Sequence, residues 1–564
     1  MRWSSLVLIA LLLTASCVEP EEQPVETEGY SLELGDVVLC SDPVATDQAL
    51  PYDDITAQAG LSFASATPAW NNGENNYNSI DLELNGGIAA TDLNSDAALD
   101  LLFIDYASPP KIFLGDGQGS FTQVSALSLG LETHQSYLIG ASAADVNGDG
   151  HVDLFLLANG PNMLFINQGN GSFTDVSDQY GLAGPMSRSL GAAWADPDRD
   201  GDLDVLVVNH GSGSSGDDEF YLPQRDQLFI QEASVFEDHI ERLYPDARKD
   251  GFGYTAGWFD ADDDGLLDLY VVNDLAEEGD GNPPNFFAHN VSTKDNDKPH
   301  FDMPAQSHLD QAMLAMGLAV GDMDGDGDLD IHVSNAGRTF LARNDGDLRF
   351  IDDSLALAGL SQGPRGDISW STEFFDYNNN GRLELFCSFG HMPSKASHGP
   401  NDTENPIDQF DALWSRGQDG SFEDLAPTVG IDSPLSTRSV VAADFDGNGF
   451  LDLVTWALYE GPRLYQAGCN QNTWLTVELD QPGTLNRDAI GARIEAWSGA
   501  ELIAVREVVA GSTGALSVGP AQVHLGLGQH QLIELRIRWP QGEQSVHPDI
   551  PTRRSLRIVR DAPT

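Results

Sequence analysis

One nine-residue phrase recurs seven times along the chain, and it leaves few folds open. It reads D-x-[DN]-x-[DN]-[GA]-x-x-[DE], with small and apolar residues before it and an apolar run after it. Copies begin at Asp92, Asp145, Asp196, Asp260, Asp322, Asp376 and Asp444, 51 to 68 residues apart. Self-similarity at such a period marks a repeat architecture in which each copy builds one supersecondary unit. The interval accommodates four short strands and their turns, the content of one propeller blade.

The spacing has a chemical reason. Side-chain oxygens at positions 1, 3 and 5 of a tight loop converge on one centre, position 7 can add a backbone carbonyl, and glycine at position 6 permits the sharp turn. An EF-hand would then need a bidentate Glu at position 12 on a helix. Here the last carboxylate stands at position 9, and β-branched and aromatic residues follow, as in Asp204-Val-Leu-Val-Val and Asp268-Leu-Tyr-Val-Val. That is strand chemistry, so the phrases are read as calcium loops within β-hairpins. A single D-x-D-G turn is an ordinary hairpin tip; seven in register are a metal-binding array of up to seven Ca²⁺. The candidate ligands are Asp92, Asn94, Asp96 and Asp100; Asp145, Asn147, Asp149 and Asp153; Asp196, Asp198, Asp200 and Asp204; and Asp260, Asp262, Asp264 and Asp268. The later loops offer Asp322, Asp324, Asp326 and Asp330; Asp376, Asn378, Asn380 and Glu384; and Asp444, Asp446, Asn448 and Asp452. Ala97 replaces glycine in the first loop and the sixth carries fewer charges, so both are expected to bind more weakly or stay empty.

A second phrase lies between the loops, an apolar strand, a Gly/Asn/Asp turn and another strand, as in 164–176 and 340–350. It reads as the outer hairpin of a blade. The hairpin after the seventh loop runs into Cys469 with no closing strand, and the missing phrase stands at the other end, as Tyr52-Asp-Asp-Ile-Thr56 with Ala59-Gly60-Leu61. Residues 51–61 are therefore expected to close the ring, which removes exposed sheet edges. The fold expected is all-β: a seven-bladed β-propeller over 51–469, then a small β-sandwich-like domain over 470–564, where short runs such as Leu535-Arg-Ile-Arg-Trp539 alternate apolar and polar.

These repeats resemble the FG-GAP/VCBS repeats of integrin-type propellers. The tail resembles an ASPIC/UnbV domain, carried by Asn472-Thr-Trp474-Leu475, Asn486-Arg487-Asp488, Ile490-Gly491-Ala492-Arg493, Arg506-Glu507, Ala510-Gly511-Ser512 and Val523-His524-Leu525-Gly526. Repeats and tail in that order are similar to the cartilage acidic protein family and its bacterial relatives. The resemblance implies calcium binding and extracellular or adhesive roles, with no defined enzymatic activity.

The amino terminus reads as an export signal: Arg2, an apolar stretch Leu6 to Leu13, then Thr14-Ala15-Ser16 before Cys17. Leu13 to Cys17 resembles a bacterial lipobox, which makes Cys17 a candidate lipidation site; a plain secretory signal is the alternative. The apolar stretch is too short to span a bilayer. Residues 18–50 read as an acidic tether. The expected place is therefore outside the cytoplasm, as a lipoprotein of the outer membrane or cell surface, or secreted. Of Cys40, Cys387 and Cys469, the first and last flank the propeller and are expected to pair. With 28 Lys+Arg against 88 Asp+Glu, a net charge of −60 excludes nucleic acid and anionic membrane surfaces as partners. Membrane contact is expected through the lipid alone.

The strand after each loop ends in polar residues on the far face: Asp105, Asn159, Asn209, His210, Asn273, Asp274, Asn335 and His391. Gathered around the axis they would line a ligand funnel; the competing reading is that such residues cap strand ends against the local backbone. His289, His300, His308, His391 and His398 fall in expected loops and could suggest a transition-metal site, but none has tight metal-ligand spacing and they read as surface histidines. No nucleophile elbow or Cys/His pair is present. The function expected is a non-enzymatic, calcium-dependent binding, adhesion or scaffold module that meets a protein or glycan ligand at the cell surface. The alternatives are an enzyme acting on a polysaccharide or small metabolite in the funnel, and a subunit of a surface complex.

Overall fold

The computed structural model describes residues 29–561, apart from 42, 47, 66–85, 106–107, 134–136, 186, 212–222, 233, 244–250, 277–281, 294–297, 305–306, 358–367, 392–408, 418 and 512–515. Cys17, the export signal and His398 lie outside the described residues.

Each repeat folds as a four-stranded antiparallel sheet, and the described residues contain seven such units. In the second, Tyr137–Ala144 is the inner strand, the Asp145 loop turns the chain, Asp153–Gly160 returns, and Met163–Asn167 and Phe173–Asp175 form the outer hairpin. Inner strands are small and apolar and wholly buried, as in Gly253–Phe259 and Ala315–Gly321, because each is sandwiched between its neighbours. They adjoin one another in cyclic order, and Thr437–Ala443 of the last unit lies against Gly87–Thr91 of the first. The seventh unit draws its outer strand from the other end of the chain: Tyr52–Asp54 pairs antiparallel with Gly461–Ala467. The same junction carries the Cys40–Cys469 disulfide expected from the sequence.

Residues 470–561 form two four-stranded sheets over one core. The charged surface of the first sheet hides one surprise. Tyr30–Leu34, read as part of the 18–50 tether, is its edge strand, paired with Arg554–Arg560. The alternation Tyr-Ser-Leu-Glu-Leu decides this: Leu32 is buried, Ser31 and Glu33 are exposed, and Tyr30 stacks on Trp539 at 5.6 Å. An acidic, proline-rich context concealed a period-two pattern only five residues long.

This domain does not merely follow the ring; it enters it. Ala510–Gly511 pairs with the inner strand Ser187–Ala195, and Ser517–Val518 runs parallel to Gly87–Thr91. Between them Leu516 packs on Ile139, Leu190, Tyr254, Met316, Ile368 and Trp370, from the inner strands or their approaches in five units. The axis is thus filled by an apolar cluster.

Candidate metal centres

The seven loops share a backbone trace that the repeat phrase only partly announces. Position 6 has positive φ throughout, from 69° at Ala97 to 100° at Gly327. So does position 4, held by Ser95, Gly148, Arg199, Asp263, Gly325, Asn379 and Gly447. Two left-handed residues two apart turn the intervening N–H groups inward. The carboxylate at position 1 accepts them: Asp145 takes Asp149 N–H at 3.1 Å and Gly150 N–H at 2.7 Å, and Asp444 takes Asn448 at 3.1 Å and Gly449 at 2.8 Å.

Position 9 is more deeply built in. Asp153 accepts N–H from Val146 at 3.1 Å and from Asn167 of the third strand at 2.8 Å. Asp100, Asp268, Asp330 and Asp452 repeat both bonds with their own loop and third strand. Each ties the loop to the sheet, and its side chain is buried.

In four loops three carboxylates converge, from positions 1, 3 and 5 in two of them and from positions 1, 3 and 9 in the other two. Asp196, Asp198 and Asp200 offer atoms within 4.8 Å of one another, as do Asp260, Asp262 and Asp264; Asp322, Asp324 and Asp330; and Asp444, Asp446 and Asp452. Asp326 and Asn448 complete their loops by bonding the position 1 carboxylate through backbone N–H. Asn94 and Asn147 donate to Asp96 and Asp149, each at 3.0 Å, so the first two loops present a polar rim with fewer charges. In the sixth, Asn378 and Asn380 stand between Asp376 and Glu384.

Electrostatics sets this array apart from ordinary turns. Burial pushes the carboxyl of Asp145 and Asp322 up to about 6, of Asp198 and Asp444 to about 7 and of Asp153 to about 8; neighbouring carboxylates add to each rise. Asp196, Asp204, Asp268, Asp330 and Asp452 lie well above the usual range for the same first cause, burial. Several oxygens also lack any hydrogen-bond donor while sealed from solvent: Oδ1 of Asp196, both of Asp198, Oδ2 of Asp204, Oδ1 of Asp262 and Oδ1 of Asp324. Buried acceptors without donors are costly. A hard divalent cation, ligated by oxygen, is the partner such a set fits.

Among the described residues, the far-face positions are held largely by local bonds. Asn209, Asn273 and Asn335 give their side-chain N–H to the carbonyls of Arg225 at 2.8 Å, Pro284 at 3.1 Å and Arg338 at 2.8 Å, all local strand connections. Asn159 sits in strand pairing with Tyr137 and Arg188. Asp105 is buried against Lys111 Nζ at 3.4 Å. His210 lies 3.4 Å from Asp274 and packs its ring on Phe252 and Tyr254, at the border of the axial cluster. His391 lies against Tyr459, and burial lowers its imidazole to about 4. Strand capping accounts for most of these residues; an axis occupied by Leu516 leaves them nothing to line at that depth.

Two sites were not legible in the repeat. His289 is in the strand Phe286–Asn290, not in a loop, and its Nε2 stands 3.2 Å from Asp262 Oδ2. A cavity of about 190 Å³ lies between the ring and the C-terminal domain, bordered by Glu373, Asp376, Arg506, Glu507 and His524. Burial pushes Glu373 and Glu507 up to about 8 there. Its residues come from both domains, so no one-dimensional pattern marks it.

The C-terminal domain rests on the loops themselves. Arg538 binds Asp260 and reaches Asp263 at 2.6 Å, Gln541 donates to Asp196 at 3.2 Å, and Arg493 donates to the Gly327 carbonyl at 2.7 Å. His524 meets Asn379 at 2.8 Å, and Asn470 and Asn472 bond the Asn378 carbonyl. These contacts seat the C-terminal domain on the acidic loop face.

The acidic loops and their sheets match the FG-GAP-like repeat at residues 92–156, 145–207 and 322–387. An ASPIC and UnbV domain follows at 483–564. Among known proteins it is similar to cartilage acidic protein 1 of Homo sapiens, 25% identical over 83% of this chain and 70% of the relative. Cartilage acidic protein 1 of Mus musculus is 26% identical over 83% and 72%. A solved structure of an Agrocybe aegerita protein, described as recognising non-reducing terminal N-acetylglucosamine, aligns over 68% of this chain and 94% of its own at 14% identity. With a TM-score of 0.37, that likeness says nothing of function.

Proposed function

We propose that the protein is an exported, calcium-loaded surface protein that acts as a non-enzymatic binding, adhesion or scaffold module, anchored through a lipid on Cys17. The observation that carries this reading is the set of sealed, donorless carboxylate oxygens in the repeat loops. The named relatives, cartilage acidic proteins, agree with an extracellular role. Calcium would be held by the side chains at positions 1, 3, 5 and 9 and would supply positive charge. Seven ions would bring the net charge from −60 to about −46.

Cation binding here works mainly on the scaffold. Each loop held at ten times its dissociation constant adds about 1.4 kcal/mol, so a full ring gains on the order of 10 kcal/mol. Because the C-terminal domain covers the loop face, the opposite face is left for a protein or glycan ligand. The experiment is thermal unfolding of the chain lacking residues 1–28, metal-free and then with calcium titrated back. A large, saturable rise in melting temperature with several ions bound per chain supports the reading. A melting temperature indifferent to calcium would reduce the loops to hairpin turns and refute it.

A further inference from the structure

One register position on the third strand of the units looks into the loop, and its identity differs from unit to unit. It immediately precedes the residue whose N–H bonds the position 9 carboxylate: Gly115, Asn167, Gln231, Asn290, Asn344 and Ala467 serve that role for the first to fifth and the seventh loops. The preceding residues are Leu114, Ile166, Ile230, His289, Arg343 and Gln466. Where they are polar, all approach the carboxylate at position 3. Gln466 Nε2 donates to Asp446 Oδ2 at 2.6 Å, Arg343 Nε lies 3.9 Å from Asp324 Oδ2, and His289 Nε2 lies 3.2 Å from Asp262 Oδ2. The first three loops have an apolar wall there, the fifth a fixed cation. Only the fourth has an imidazole nitrogen.

That nitrogen belongs to a ligand set. His289, Asp262 and Asp268 place one ligand atom each within 4.8 Å of one another. His289 Nε2 and Asp262 Oδ1 are both sealed from solvent with no hydrogen-bond partner. The fourth loop also differs on its other side. Its position 1 carboxylate, Asp260, is engaged by the Arg538 guanidinium, which partly neutralises it. Beside the carboxylates of Asp262 and Asp268 the loop thus offers an imidazole nitrogen, a donor set that suits borderline transition metals more than calcium.

We infer that the fourth loop is a mixed nitrogen-oxygen centre, formed by Asp262, Asp268 and His289, that takes a divalent transition metal such as Zn²⁺ while the other loops take calcium. This rests on the reading of the loops as cation sites, but it fails separately from it. The second and third strands fix the geometry: Asp268 is bonded at both oxygens to backbone N–H groups, at 2.7 and 3.0 Å, so its position does not depend on the ion. His289 flanks Asn290, one of those donors, so its ring is delivered by the same strand.

The test counts two metals in the full chain. Protein freed of metal is dialysed against a large excess of Ca²⁺ with Zn²⁺ at a low fixed level, and both metals are measured per chain by atomic emission. Wild-type protein is expected to hold one more zinc ion than His289→Asn, with equal calcium in the two. His289→Asp, which keeps a ligand and guards against a folding failure, should lose the zinc and hold one more calcium. Co²⁺ loaded in place of zinc should give visible d–d absorption that only wild type shows. Equal zinc in wild type and both variants, or zinc displaced from wild type by calcium, would overturn the inference and leave His289 as an ion-pair partner of Asp262. A chain that holds zinc but no calcium would instead refute the calcium reading alone.

Discussion

Leu516 is where the two domains hold each other, and truncating it tests that statement directly. The side chain is 2% exposed, surrounded by Ile139, Leu190, Tyr254, Met316, Ile368 and Trp370, and its own carbonyl accepts the Ile88 N–H at 3.0 Å. Leu516→Ala leaves that backbone bond intact and removes only apolar packing. Inner strands are held on both sides by other units, so the ring cannot collapse onto the space. The loss should therefore fall in the range of unrelaxed leucine truncations, about 3–4 kcal/mol. It should fall on docking rather than on the units, which keep their own cores. Urea unfolding followed by far-ultraviolet circular dichroism gives the magnitude, and limited proteolysis gives the location, through faster release of a fragment near residues 470–564. A loss below about 1 kcal/mol, or a cleavage pattern unchanged from wild type, would mean that the axis is not sealed by this residue and that the domain rests on the loop face alone.

Metal-free protein should lose stability as pH rises from about 4 to about 7, because Asp145, Asp198, Asp322 and Asp444 have folded-state values of about 6 to 7, above those of an unfolded chain. Saturating calcium favours the charged forms and should flatten or reverse that slope, as melting temperatures across the window will read. Cys40 and Cys469 are 429 residues apart, so Cys40→Ser with Cys469→Ser lowers stability by at most about 6 kcal/mol. The measured loss in urea should be smaller, because Tyr52–Asp54 and Tyr30–Leu34 hold the same end of the chain by strand pairing. Ala97 occupies a left-handed position at φ 69°, where every other loop has glycine; Ala97→Gly should raise stability by roughly 0.5–1 kcal/mol and tighten calcium binding at the first loop, measured by calorimetry.

The ring was legible because its determinants are short-range and repeated. A nine-residue phrase dictates a loop, the apolar run after it a buried strand, and the displaced closing phrase at Tyr52 announces its distant partner at Gly461–Ala467. The second left-handed position escaped notice because it tolerates Ser95, Arg199, Asp263 and Asn379 as well as glycine. Composition therefore does not mark it; the geometry only becomes visible as a shared φ. The far-face residues are a different case. Sequence placed Asn209, Asn273 and Asn335 at strand ends correctly but could not say what fills the axis, and the occupant, Leu516, lies about 180 residues or more downstream of all three.

The same limit explains why the loop face and the capping domain have to be read as one object. Seven acidic loops facing solvent would repel one another, and bound cations relieve only the charge inside each loop. Arg538, Arg493 and Gln541 meet carboxylates and a carbonyl of those loops, at Asp260, Asp263, Gly327 and Asp196. Arg506 extends the pattern inward: burial in the interface lowers its guanidinium from the usual value, and Asp376, Asp322 and Glu384 oppose that by favouring the charged form. A domain supplying fixed guanidinium groups to the outside of loops that take ions on the inside couples docking to occupancy. Emptying the loops leaves their carboxylates to the arginines, and filling them orders the backbone on which the domain rests. Calcium should therefore protect the 470–564 region from proteolysis even though none of the repeat loops lies within it, and Arg538→Gln should weaken that protection. Protection that tracks calcium equally in Arg538→Gln and wild type would separate the two halves of this surface and refute the coupling.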